Sequence, residues 1–156
     1  MSPDDRRHLR RAIELSLRAR SAGDEPFGSL LVGASGDVLA EDVNTEITEN
    51  DITAHPELKL ARWAGANLTA EQAAGTTMYT SCEACAMCSG AIVYSGLGRV
   101  VYALSTPEVD ELKGGSGPKS MRGTAVLAQA DRRIRVEGPF LFKEAAAPHS
   151  GYWVSE

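Results

Sequence analysis

Apolar and small residues at Leu9, Ala12, Ile13, Ser16 and Leu17 recur at helical spacing. The pattern predicts a helix from Ser2 to about Gly23, this face on a core and the arginines in water. Ser2 can cap it, Pro3 suits a first turn, and Asp4 and Asp5 match the positive end of the helix dipole. Phe27 to Gly33 and Val38 to Val43 then read as two strands joined by the turn Ser35-Gly36-Asp37, an antiparallel hairpin. Thr53 is the expected cap of a second helix, Ala54 to Ala66. Leu58, Ala61 and Arg62 lie on one side of it and Leu60 and Trp63 on another. Pro56 is compatible with its first turn, where the missing N–H has no intrahelical partner anyway. A strand at Thr76 to Cys82, a helix at Ala84 to Ser95 and a strand at Arg99 to Leu104 follow. Lys113 to Gly123 reads as a loop, softened by Gly114, Gly115, Gly117 and Pro118, and a lid role competes there with that of a plain connector. Arg132 to Glu137 reads as a last strand before a tail carrying Phe140, Phe142, Tyr152 and Trp153. This alternation of helices and strands is that of an α/β layered domain.

Composition narrows the class. With 156 residues, 43% hydrophobic and 24% charged, the chain fits one compact domain spanning 1–156. No apolar run approaches the ~18 residues of a membrane span, and Ser2-Pro3-Asp4-Asp5-Arg6-Arg7 lacks the order of a signal peptide. Neither a membrane nor a secreted protein is expected. The net charge of −5 repels polyanions, so a nucleic-acid partner would need a local basic patch. Cys82, Cys85 and Cys88 are too few and too closely spaced for a disulfide scaffold. They point to metal or thiol chemistry in a reducing cytoplasm.

His55-Pro56-Glu57 and Cys85-Ala86-Met87-Cys88 fall on the first turns of two expected helices, thirty residues apart. Cysteines at i and i+3 share a helix face and can chelate one ion. His55 would be the third ligand, leaving one open position as in a catalytic zinc site. Glu57 lies two residues from His55, about 200° around a helix, so both reach one point only beyond the helix end. That makes Glu57 a proton carrier beside the metal rather than a ligand. Zinc lowers the pKa of a bound water toward about 7, and the set is suited to hydrolytic attack on an electron-poor carbon.

These residues resemble the zinc-dependent cytidine deaminase-like superfamily, with its H-x-E and P-C-x-x-C signature. The segment Thr80-Ser81-Cys82-Glu83-Ala84-Cys85-Ala86-Met87-Cys88-Ser89-Gly90-Ala91-Ile92 is similar to the bacterial guanine deaminase and tRNA adenosine deaminase branch. So are Gly98-Arg99-Val100-Val101-Tyr102, Glu25-Pro26-Phe27-Gly28, and Asn44 eleven residues ahead of His55; the match runs from about Arg11 to Leu104. The resemblance implies a three-layer α/β/α fold with a central mixed five-stranded sheet. It implies one zinc per chain on His55, Cys85 and Cys88, Glu57 as proton shuttle, and a homodimer whose partner chain lines the pocket. Asn44 would bind the substrate ring or sugar, Phe27 pack on the heterocycle, and the Ala54 backbone help hold it. Glu111, with Asp110, falls where related guanine deaminases set an acid against the purine edge. Two departures are visible: Pro56 replaces the usual Ala, and Ala84 the usual Pro. Both positions tolerate Pro, so pocket shape is expected to change more than zinc binding.

Other readings of the same residues remain open. C-x2-C-x2-C also begins an iron–sulfur run, but no fourth Cys exists; a purely structural zinc closed by Cys82 would leave Glu57 unexplained. Cys82 is expected to be a buried small hydrophobe, and His8 and His149 ordinary surface residues. Tyr152 and Trp153 either cover the core or close the pocket. Residues 137–156 set Lys143 against Glu137, Glu144 and Glu156, and Arg132, Arg133 and Arg135 would alternate faces on a solvated strand edge. The expected function is hydrolytic deamination of a small free base or nucleoside: guanine, other aminopurines, cytosine-type bases or aminotriazines. A tRNA adenosine deaminase and a non-catalytic zinc module are the alternatives.

Overall fold

The computed structural model describes residues 1–115 and 119–153; Gly117 and Pro118 of the expected loop, and Glu156, lie outside them. Helix α1 (Pro3–Ser21) opens the chain, its N-terminus closed by a capping box between Ser2 and Asp5. Strands β1 (Gly28–Val32) and β2 (Val38–Val43) form the hairpin, followed by α2 (Pro56–Asn67) and a short α3 (Ala70–Ala74). Then come β3 (Thr77–Cys82), α4 (Ala86–Ser95), β4 (Arg99–Leu104), α5 (Thr106–Leu112), α6 (Thr124–Leu127), β5 (Arg135–Glu137) and α7 (Phe142–Ala146). The five strands form one sheet in the order β2-β1-β3-β4-β5. Its β2-β1 and β1-β3 pairs are antiparallel, its β3-β4 and β4-β5 pairs parallel.

Strand alternation sorts the core into two layers. Leu30, Tyr79 and Val101 face Leu9, Ala12, Ile13 and Leu15 of α1, while their neighbours Leu31, Met78 and Val100 face Leu60, Ala61 and Ala64 of α2 and Ile92 of α4. Helices therefore cover both faces of a mixed sheet, the expected α/β/α arrangement. Each fully buried leucine contributes about 1.5–3 kcal/mol. No described helix is long and apolar enough to cross a membrane.

Several expectations shift. Leu17 is 51% exposed and Leu15 buried in its place, because a 3.6-residue period carries the buried stripe from Leu9 through Ala12 to Leu15 and Ser16. Thr53 caps nothing: its N–H and hydroxyl donate to Asp51 Oδ1 at 2.8 and 2.7 Å, and α2 begins at Pro56 with His55 as its cap. Its buried side is Leu60, Ala61 and Ala64, with Arg62 exposed. His8 and His149 are buried, not on the surface; His8 packs on the Tyr79 ring at 5.0 Å. Arg132 is not on a strand. It donates to the Ile92, Val93 and Leu97 carbonyls, where α4 ends.

Candidate active site

The N-termini of α2 and α4 converge beside the end of β3, and the chemistry-bearing residues sit on those two caps. A proline disfavours helical backbone at the residue before it, so Pro56 holds His55 extended at φ −84°, ψ 140°. Cys85 caps α4 in the same way, and Cys88 follows within the first turn. His55 Nδ1 lies 3.7 Å from Cys85 Sγ and 3.5 Å from Cys88 Sγ, and the sulfurs are 3.6 Å apart. A tetrahedral zinc with Zn–S of about 2.3 Å and Zn–N of about 2.05 Å requires S···S edges of about 3.8 Å and S···N edges of about 3.6 Å. The donor triangle fits one zinc without rearrangement.

The charges agree with that fit. The hydrogen bond from the Cys88 thiol pushes Cys85 down to about 4, and the same bond with burial pushes Cys88 up. Contact with Cys85 raises His55 to about 9. The cluster thus gathers positive charge around one thiolate, a role a divalent ion fills better. Cys82 stays out of the group: its Sγ faces the Glu83 carbonyl at 3.5 Å, and burial holds its thiol well above the usual range. Among the described residues His55, Cys85 and Cys88 form the one such cluster.

Glu57 is 5% exposed. Its Oε1 meets the Thr80 and Ser29 hydroxyls at 2.9 and 3.1 Å, on strands whose register sets those two residues opposite each other. Burial raises its pKa, opposed by the charge of His55 and by these hydroxyls, so the carboxyl is suited to taking and returning a proton.

His55, Glu57 and Cys85 open into a cleft with Phe27 and Asn44. Asn44 Oδ1 accepts from the Glu46 N–H at 2.9 Å, which leaves its Nδ2 to donate. Ala54 is not among the cleft's walls; its N–H donates to Asp51 O at 3.1 Å and its carbonyl accepts from Thr45 N–H at 3.0 Å. Glu111 does not reach the cleft either. It lies exposed on α5, and Thr106, Val109 and Lys113 are the neighbours that line it. Lys113, opposite in charge to Glu111, sits 5.9 Å from the Phe27 ring centroid and 4.7 Å from that of Trp153.

Glu25, Lys113, Ser29 and Thr80 were given no individual role at the site by the sequence. Burial and the Glu46 charge raise the pKa of Glu25, which lines the cleft. Ser29 did leave a signal, as the one polar side chain of β1, whereas Thr80 shares β3 with Thr77 and Ser81 and left none. The terminal aromatics lie against this wall: Phe27 meets His149 edge-on at 5.5 Å, and Trp153 Nε1 donates to His149 Nδ1 at 3.0 Å.

Residues 2–104 match the model of the cytidine and deoxycytidylate deaminase zinc-binding region. The chain is 35% identical over 156 residues to a probable cytosine deaminase of Schizosaccharomyces pombe, covering 98% of this chain and 94% of that one. It is 34% identical over 101 residues to a tRNA-specific adenosine deaminase of Haemophilus influenzae, covering 65% of this chain but 58% of that protein. The guanine deaminase from Nitrosomonas europaea has the same fold, with a TM-score of 0.77 at 23% identity over 97% of this chain and 84% of that one.

Proposed function

The chain belongs to the cytidine and deoxycytidylate deaminase zinc-binding family, and from that premise we propose that its substrate is a free nucleobase or a similarly small aminated heterocycle. It is a hydrolytic, zinc-dependent deaminase; guanine, other aminopurines, cytosine-type bases and aminotriazines are the candidate substrates. The observation that carries the reading is the buried Glu57 carboxyl beside the His55, Cys85 and Cys88 donors, at the floor of a cleft walled by Phe27 and Asn44.

His55 Nδ1, Cys85 Sγ and Cys88 Sγ would hold the ion. Zinc held there supplies Lewis acidity that lowers the pKa of the attacking water toward about 7. With Oε1 fixed by Ser29 and Thr80, Glu57 Oε2 takes the water's proton as the oxygen bonds to the amine-bearing ring carbon. Glu57 delivers that proton to the adjacent ring nitrogen, then takes the remaining proton from the hydroxyl now on the ring carbon and passes it to the amine as the C–N bond breaks, so that ammonia leaves and a carbonyl remains. Asn44 Nδ2 would donate to a ring carbonyl, and the Phe27 ring would pack on the heterocycle; both residues line the cleft, which supports these roles.

Charge favours a small substrate over tRNA. Arg132 is engaged at the end of α4 and Arg135 pairs with Glu137 at 3.3 Å, so the basic cluster offers little to phosphates. We further propose a homodimer; Met87 and Tyr94, seven residues apart on α4 and 39% and 93% exposed, supply an apolar face for a second copy.

Ammonia release by the zinc-loaded protein from guanine, cytosine, an aminotriazine and a tRNA anticodon stem-loop tests the substrate class. Release from free bases with none from the stem-loop is expected, and release from the stem-loop alone would overturn the reading. Glu57→Gln should keep its zinc and lose about 10²–10⁴-fold in turnover, whereas in a non-catalytic module it would change nothing.

A further inference from the structure

We propose that Glu46 is a positioning residue that holds the His55 ring as an Nδ1 donor, an inference that rests on the zinc site described above. His55 Nε2 lies 3.2 Å from Glu46 Oε2, on the side of the ring opposite the nitrogen that faces the two sulfurs. A neutral imidazole carries one N–H, and the acceptor that takes it decides which nitrogen keeps a lone pair. A carboxylate at Nε2 selects the Nε2–H tautomer and leaves Nδ1 to a cation. It also increases the basicity of that nitrogen and stops the ring from turning.

The contact is built into the loop between β2 and α2. The Glu46 N–H donates to Asn44 Oδ1 at 2.9 Å, and its carbonyl accepts from the Asp51 N–H at 3.0 Å. The next two residues are tied to Asp24, itself 1% exposed: the Ile47 and Thr48 N–H groups donate to Oδ1 at 3.0 and 2.9 Å, and the Thr48 hydroxyl to Oδ2 at 2.7 Å. Glu46 therefore leaves a backbone fixed on both sides, and its side chain, 30% exposed, reaches a His55 ring that is 25% exposed. Asn44 acquires a second task, since its amide oxygen fastens the residue that orients the metal ligand.

Zinc affinity of the full chain, measured by competition with a chromophoric chelator, tests the assignment together with the visible spectrum of the cobalt-substituted protein. Glu46→Ala should weaken zinc binding about 10–100-fold and move the cobalt bands, while the thermal midpoint of the metal-free protein stays unchanged. Glu46→Gln, whose carbonyl still accepts from Nε2–H, should recover part of the affinity. Wild-type affinity and an unmoved cobalt spectrum in Glu46→Ala would overturn the proposal and leave the zinc site standing. Equal losses in both variants, matched by a lower midpoint of the metal-free protein, would overturn it too, by making Glu46 structural only. A wild-type chain that takes up no zinc would remove the metal reading itself, and this proposal with it.

Discussion

A Cβ at Gly123 would stand 2.1 Å from the Ala84 carbonyl oxygen and 2.9 Å from that of Cys85. The segment around it presses on the start of α4: the Ala86 N–H donates to Met121 O at 3.0 Å, and Arg122 pairs with Glu83 at 3.2 Å. Gly123→Ala is therefore expected to cost about 1–3 kcal/mol, through overpacking against backbone. It should also loosen zinc, because the Cys85 main chain must yield; thermal unfolding read beside metal content checks both. At this scale the convergence of His55, Cys85 and Cys88 was legible, since few residue types bind zinc and their spacing on helix starts is restrictive. Glu25, Glu46 and Lys113 were not, because what defines them is a neighbour distant in sequence. Glu111 was placed in the wrong register, and the side chain that α5 brings to the cleft from its end, Lys113, has the opposite charge.

At the scale of elements, the long helices and the strands were readable from period, and β2 and β4 fall on their expected residues. The start of α2 moved because Pro56 disfavours helical backbone at His55, which makes the histidine a cap rather than a member of the first turn. Helices α3, α5 and α6 are too short for a period to declare itself. Two of them nevertheless carried capping boxes, Thr69 with Gln72 and Ser105 with Glu108, a local signal that survives when periodicity fails. At the other end of α4, three carbonyls accept from one guanidinium. Arg132→Ala should cost about 2 kcal/mol by taking this donor from the Val93 and Leu97 carbonyls, that of Ile92 keeping the Ser95 hydroxyl at 2.7 Å, whereas Arg133→Ala, on an exposed residue, should stay within about 0.5 kcal/mol. Denaturant unfolding of the two variants separates a helix-end role from that of a basic surface patch.

The whole molecule registers pH through a histidine that the sequence reading placed at the surface. His149 is 2% exposed, and its Nε2 has no hydrogen-bond partner among the described residues. Burial, aided by Lys113 and Arg20, pushes its pKa down to about 4. Below its unfolded value of about 6.5 the unfolded chain binds a proton that the folded chain refuses, so stability present above that pH is lost as pH falls toward 4. Between pH 7.5 and pH 5 this one group should remove about 2 kcal/mol. His149→Gln, which keeps an acceptor for the Trp153 indole, should shrink the difference between unfolding curves at those two pH values by that amount. Burial of His8 pushes its pKa in the same direction, so some acid sensitivity will persist.

Trp153 joins the cleft wall to this buried histidine. Its ring lies 4.7 Å from the Lys113 ammonium and 6.3 Å from the Phe27 ring, and the chain's other tryptophan, Trp63, is on α2. Indole emission responds to a nearby charge, and Lys113 lines the same cleft as Phe27, so a heterocycle bound there is expected to alter the ammonium's contact with the indole. Trp153 emission should therefore serve as an optical gauge of occupancy, one that reports binding even in a Glu57→Gln chain whose turnover is all but lost.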